Sequence, residues 1–351
     1  MNIAVVDVAA SEGGALSVLY DFCDALRTSE KANNCWYIIT STVDIEENEF
    51  IHNVKYPEIK KSWIKRFLWE KKTFPKLMKK LKIDIVFSLQ NNAMPAGQYR
   101  QIIYFHNVLL LQKIGTFLDS KIYNAGLAVR TNLLGPYTRY TWSNADKIIV
   151  QGNHVKKMVS AYYNASDIEV VRTQVEYPSE MENSAQKIVG YIYPTSAYSY
   201  KNIEAIIEAE KKLNRLGKRI DVLITIAGDE NGYARKMVAL AKKVEGIHFI
   251  GYQKRDKLFE LYKRYGVIIT SRYESFCVPI VEAMMAGTVI VGFELPYFAE
   301  LTNHYSRVYS TSDNDKLSNL MINGLKDTAS GNYSNKNIDG WKRIIELIQR
   351  V

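Results

Sequence analysis

Short apolar runs rich in β-branched residues alternate along this chain with longer stretches whose apolar positions recur every three or four residues. In the first half Asn2–Val8, Trp36–Thr40, Asp84–Ser88, Gln101–Phe105 and Asp146–Val150 read as strands, and in the second half Ile188–Tyr193, Asp221–Ala227, His248–Ile250, Tyr265–Thr270 and Val289–Gly292 do. Near-continuous apolarity is what burial on both faces of a parallel sheet demands. Helices are expected between them: one running through Leu26, then Phe74–Leu81, one from Ile203, Tyr233–Val244, and a last one around Ile338–Val351 that carries Trp341. Such alternation predicts an α/β fold of open parallel sheets wrapped by helices, with ligands gathered at the C-terminal strand ends. The polar stretch Gln174–Lys187 reads as an interdomain linker. The expected organisation is therefore a first domain over 1–175, a linker over 176–187, a second domain over 188–335 and a closing helix over 336–351.

Composition narrows the class. At 351 residues the chain is long enough for two domains with separate cores. Cys23, Cys35 and Cys277 are odd in number and lack metal-ligand spacing, so no disulfide framework is expected and a reducing compartment is. No apolar run approaches the roughly 18 residues of a membrane span, and the chain opens on a strand, so a cytoplasmic location is expected. The net charge of +9 calls for an acidic partner or surface.

The chemistry concentrates after the Tyr265–Thr270 strand, in Ser271-Arg-Tyr-Glu-Ser-Phe-Cys-Val-Pro-Ile-Val-Glu-Ala-Met-Met-Ala-Gly287. Pro279 suits the first position of a helix, where its missing N–H is no loss. Glu282 should then lie in the first turn and Glu274 in the preceding loop. The amides of Cys277, Val278 and Ile280 are expected to cluster at the helix start, which favours a phosphate. Two carboxylates beside a phosphate find their natural use in accepting bonds from sugar hydroxyls.

Glu274-Ser-Phe-Cys-Val-Pro-Ile-Val-Glu282 resembles the Glu-x7-Glu signature of the retaining glycosyltransferases with the two-domain B-type fold, numbered family four. The resemblance implies two Rossmann-like domains (the GT-B fold) facing across a central cleft. It further implies that Glu274 contacts the donor sugar and Glu282 holds the ribose hydroxyls, with Phe276, Cys277 and Val278 beside the diphosphate. Relatives usually carry Gly at the position of Cys277, which implies a different fit of the diphosphate here. Other positions join this picture. Gly13 and Gly14, at a strand-to-helix turn, allow backbone approach to a phosphate. His106, after the Gln101–Phe105 strand, can donate to a sugar hydroxyl or steady developing charge. Lys201, at a helix start, can neutralise a departing diphosphate. Relatives carry an Arg where Ser196 stands, so Ser196 with backbone amides, or Arg272, must substitute. The turn Gly251–Lys254 is where relatives hold the nucleobase; Tyr252 there is either a pocket wall or core packing. Asp313-Asn-Asp315 reads as a helix cap, and no obligate metal or cofactor is expected.

Lys60–Lys82 holds ten basic residues against one acid, Glu70, with Trp63, Phe67 and Trp69 among them. Such a segment resembles an interfacial helix lying on an anionic bilayer. It also fits a crossover helix with a solvated basic face, split at Pro75. Nothing elsewhere reads as a nucleic-acid module. The expected partners are thus a nucleotide sugar, a glycan or lipid-linked acceptor and an anionic membrane surface, at the inner face of the cell membrane. The expected function is a retaining, metal-independent glycosyltransferase of bacterial surface polysaccharide assembly. A nucleotide-sugar epimerase or hydrolase of the same fold, and a non-catalytic sugar-nucleotide-binding partner, are the alternatives.

Overall fold

The computed structural model describes residues 1–10, 13–29, 34–112, 125–172, 175, 186–329 and 340–350. The chain divides into two compact units, Met1–Gln112 with Leu133–Gln174 and Ile338–Val351 in one, and Lys113–Asn132 with Val175–Asn337 in the other. The expected linker over 176–187 lies outside the described residues as far as 185.

Unit 1 holds β1 (Asn2–Asp7), β2 (Cys35–Thr40), β3 (Ile51–Lys55), β4 (Ile85–Ser88), β5 (Arg100–Phe105), β6 (Lys147–Val150) and β7 (Ile168–Val170). They form one parallel sheet in the order β3-β2-β1-β4-β5-β6-β7. One face of this sheet packs Ile3, Val5, Ile38 and Phe87 against Leu19, Phe22 and Leu26 of the helix Gly13–Ser29, and against the helix Gly340–Arg350. That last helix buries Trp341, whose ring meets Phe22 at 5.5 Å and Tyr104 at 5.2 Å. The opposite face packs Ala4, Val6 and Ile39 against Trp69, Phe74 and Met78.

Unit 2 holds β8 (Gln186–Lys187), β9 (Gly190–Tyr193), β10 (Asp221–Ile224), β11 (Ile247–Phe249), β12 (Tyr265–Ile269), β13 (Ile290–Phe293), β14 (Val308–Thr311) and β15 (Thr328–Ala329). Six of them form a parallel sheet in the order β11-β10-β9-β12-β13-β14, while β8 and β15 pair antiparallel. Both sheets are thus the doubly wound, Rossmann-like kind that the alternation predicts.

The differences from expectation have local causes. In the two parallel sheets the strands that the apolar pattern does not announce, β3, β7 and β14, stand at edges, and the unannounced β8 and β15 pair only with each other, β8 within the expected linker. An edge strand has only one strand neighbour and keeps polar residues, as in Ile51-His-Asn-Val-Lys55. Pro75 does not split its segment. The helical path continues from Trp63–Leu68 through a π-turn, Trp69–Thr73, into Phe74–Lys80, and Phe74 N–H donates to Trp69 five residues back. The wider turn shifts the hydrogen-bond register just where proline brings no donor. The same device precedes Pro136, at Arg130–Leu134.

Trp341→Ala should cost about 3–5 kcal/mol, the range for emptying a large aromatic site. Denaturant unfolding would read this as a lower midpoint at unchanged slope, and an unaltered midpoint would show that the closing helix is not part of the unit 1 core.

Candidate donor site

In unit 2, β10 lies on one side of β9 and β12 on the other, so the connections leave in opposite directions and a crevice opens at the C-terminal ends of β9 and β12. A pocket of about 170 Å³ occupies this place, lined by Tyr193 at the end of β9, by Pro194 and Lys201 after it, and by Ser271, Glu274, Phe276, Cys277, Val278 and Pro279 after β12.

Lys201 ends the 3-10 turn Ser199–Lys201, and the next residue, Asn202, takes the left-handed conformation (φ 54°) before the helix Ile203–Arg215 begins. Its carbonyl accepts from Tyr193 Oη at 2.8 Å and from Thr270 Oγ1 at 3.0 Å. Tyr193 has one proton, so Ser271 Oγ, 2.7 Å away, donates to it in turn. The backbone of Lys201 is thereby pinned to the ends of both strands. Its Nζ meets Glu274 Oε1 at 2.5 Å, both side chains being about six-sevenths buried (15% and 14% exposed). Burial, the largest influence, would lower the lysine's pKa, but the Glu274 carboxylate, joined by smaller contributions from Tyr200, Tyr193 and Cys277, holds the ammonium above its ordinary value. Lys201 is a permanent cation in a pocket partly closed to water.

Glu274 lies in the loop, as expected, but the helix after it begins one residue earlier than the proline implies. It spans Val278–Met285 with Cys277 as cap, so Pro279 is its second residue and Glu282 lies beyond the first turn. The amide of Ile280 is already bonded to Cys277 O at 3.0 Å, leaving Cys277 and Val278 of the three expected amides. Cys277 has φ −87°, a conformation open to any residue, which is why glycine is not required here. Burial pushes its thiol up, so it stays neutral.

Glu282 is buried and does not line the pocket. Its Oε1 accepts from Arg255 Nε at 3.0 Å and its Oε2 from Tyr262 Oη at 3.0 Å. Burial raises its pKa, opposed by Arg255 and Tyr262. Each carboxylate oxygen has a second lone pair, so it can accept more.

Other expected residues stand apart from the pocket. Ser196 is exposed in the loop after β9, its carbonyl accepting from Tyr198 N–H at 2.8 Å. Arg272, the candidate substitute for the missing Arg, reaches Asn202 Oδ1 at 3.3 Å and does not line the pocket. Tyr252 is 85% exposed, which excludes core packing. Asp313 caps the turn Asn314–Lys316 by accepting from Asp315 N–H.

In unit 1 the same change of direction falls between β1 and β4. Gly13 and Gly14 open the helix after β1, and no atom lies within 4 Å of a Cβ built at Gly14. His106 follows β5, stacks on Tyr104 at 5.7 Å, and has Nε2 2.8 Å from Leu89 O. That carbonyl assigns the proton to Nε2 and leaves Nδ1 as the acceptor. Burial lowers the His106 pKa, favouring the neutral ring. Its backbone N–H is held by Asn91 Oδ1 at 2.8 Å, and Asn91 itself has φ 71°. Tyr193, Asn91, Arg255 and Tyr262 carried no motif, and Ser271 only opened the stretch that holds the two glutamates; Asn alone, in its tolerance of positive φ, offered a further signal.

The family described as "Glycosyl transferases group 1" matches residues 176–340. The UDP-N-acetylglucosamine–peptide N-acetylglucosaminyltransferase GtfA subunit of Streptococcus parasanguinis is 25% identical over 199 residues, which are 53% of this chain and 38% of that protein. The chain thus spans well under half the length of this relative. Among solved structures, WaaG, a glycosyltransferase involved in lipopolysaccharide biosynthesis, superposes with a TM-score of 0.68 at 14% identity, over 93% of this chain and 91% of that one. Anabaena HepE in complex with UDP and glucose superposes at 0.66 and 14% identity, over 100% of both chains. The chain therefore has the GT-B fold, and its residues 176–340 are similar to the glycosyl transferases group 1 family.

Proposed function

We propose that this glycosyltransferase moves a sugar from a UDP-sugar to a hydroxyl acceptor with retention at the anomeric carbon. The observation that carries the reading is the buried Lys201–Glu274 pair at the switch point of unit 2. At rest the pair is neutral. An entering diphosphate competes for Lys201, and Glu274, released from the ammonium, accepts from hydroxyls of the donor sugar. Lys201 and the amides opening the Val278–Met285 helix then face the charge that grows on the leaving diphosphate, where fixed donors stabilise the transition state most. Glu282 accepts from the ribose hydroxyls. In unit 1, His106 accepts from a sugar hydroxyl through Nδ1, and Gly13 and Gly14 open a helix whose first amides suit a phosphate. Uridine as the base draws support from the HepE complex and from the name of the streptococcal relative.

The acceptor is proposed to be a lipid-linked glycan, used in bacterial surface polysaccharide assembly at an anionic membrane surface. Support comes from the helix Trp63–Leu68, which exposes Ile64 (71%) and Phe67 (51%) as well as Leu68 among the basic residues of 60–82. Trp69, expected at the headgroups with them, is instead buried against Tyr56 and Phe74. The side chain of Trp63 lies outside the described residues. No helix among the described residues is long and apolar enough to cross a membrane.

Lys201→Ala should lower kcat about 10²–10³-fold, the usual effect of removing one fixed donor at developing charge; turnover of a panel of UDP-sugars would show it, and near-normal kcat would remove Lys201 from the chemistry. Glu282→Ala should weaken UDP binding at least about tenfold, since each bond to a charged acceptor contributes about 1.5–3 kcal/mol; unchanged affinity by calorimetry would sink the ribose assignment. In vesicle sedimentation, binding should require anionic lipid, fall with salt, and drop for Ile64→Glu with Phe67→Glu; equal binding by that double variant would exclude this helix as the contact.

A further inference from the structure

The eight-residue helix Arg255–Tyr262 supplies both partners of Glu282, one from its first residue and one from its last. Residues seven apart fall on one helical face, so the two groups clasp the carboxylate from its two oxygens. Between them Phe259 is buried; the Arg255 guanidinium sits 6.0 Å from its ring centroid, and its ring meets Tyr262 edge-on at 5.7 Å. Arg255 directly follows the turn Gly251–Lys254, where Gly251 takes φ 68° and Gln253 Nε2 donates to Ile250 O at 2.9 Å. One short path therefore joins the turn that relatives use for the base to the carboxylate proposed for the ribose.

We infer that Arg255 is a positioning residue for the donor: it holds the Glu282 carboxylate ionised and aimed, so that both ribose hydroxyls meet a charged acceptor. This rests on the donor reading given above. A buried carboxylate without a cation beside it is driven towards protonation, and a protonated acid turns one accepting site into a donor and loses the charge assistance of its bonds. Among the described residues, the titratable groups facing Glu282 are Arg255 and Tyr262 from the neighbouring helix and the Cys277 thiol from the start of its own. Burial, foremost, holds both Tyr262 and Cys277 above their ordinary values, and both stay neutral at physiological pH. Glu282 is then the group whose charge changes as pH falls. Ribose hydroxyls prefer its ionised form, so UDP affinity rises with pH through its pKa, and loss of Arg255 moves that rise to higher pH.

The test is calorimetric titration of UDP and of 2′-deoxy-UDP between pH 5.5 and 8.5. The wild type should prefer UDP. In Arg255→Ala the pH of half-maximal affinity should move up by about one unit, which is roughly tenfold weaker UDP binding on the acid side, and the preference over 2′-deoxy-UDP should shrink there and return at high pH. Arg255→Lys, which keeps the charge, should restore most of the wild-type profile; Arg255→Gln, uncharged but still able to donate, replaces the alanine variant if that one fails to fold. A wild-type pH profile and ribose preference in the uncharged variants would overturn the inference while leaving the donor reading intact. Failure of the wild type to bind UDP would overturn the donor reading itself.

Discussion

Parallel strands cannot be joined by tight turns; each connection must climb back over a face of the sheet, and where two neighbours send their connections opposite ways nothing fills the space above their ends. In unit 2 this forced vacancy lies between β9 and β12, and the site is assembled from what those strands deliver. Tyr193, the last residue of β9, and Thr270, immediately after β12, both bond the carbonyl of Lys201. The backbone of Lys201 is thus fixed by the same two strands above whose ends the pocket opens. A change that loosened either strand end would displace the ammonium even if the pocket kept its outline.

Inside the pocket, two opposite charges are held against each other. A buried ammonium and a buried carboxylate each tolerate desolvation only through the other, so an incoming anion meets a cation that is already charged but already occupied. Glu282 obeys the same rule one turn away, with Arg255 as its cation. The Glu-x7-Glu spacing thus arranges two carboxylates with separate counter-charges on separate elements. One pair opens into the pocket and the other is held against the neighbouring helix.

The central strands were legible because burial on both faces leaves only apolar runs, as in Ile102–Phe105 and Val267–Ile269. Of the edges, β11 was legible but β3 and β14 were not, since these keep half or more of their residues polar for reasons of exposure that mimic a loop. Glu274 was legible because a spacing announced it, and Lys201 because it stands at a helix start after a strand. The partners of Glu282 were not. Arg255 and Tyr262 lie 27 and 20 residues from Glu282, and only the packing of two helices brings them to it. Likewise Phe67 and Trp69 look equivalent in sequence, yet one is half exposed and the other buried, because helical phase decides which way each side chain faces.

That phase is what the π-turn at Trp69–Thr73 alters. An α-helix advances about 100° per residue, so one extra residue in a turn rotates everything before it relative to everything after. Phe74 and Met78 are committed to the core beneath the sheet, whereas Ile64, Phe67 and Leu68 face outward from a stretch whose angle the wide turn sets independently. The two ends of this helical path are therefore separable in evolution: the outward-facing end can be re-aimed or re-charged for a different surface without repacking the interior.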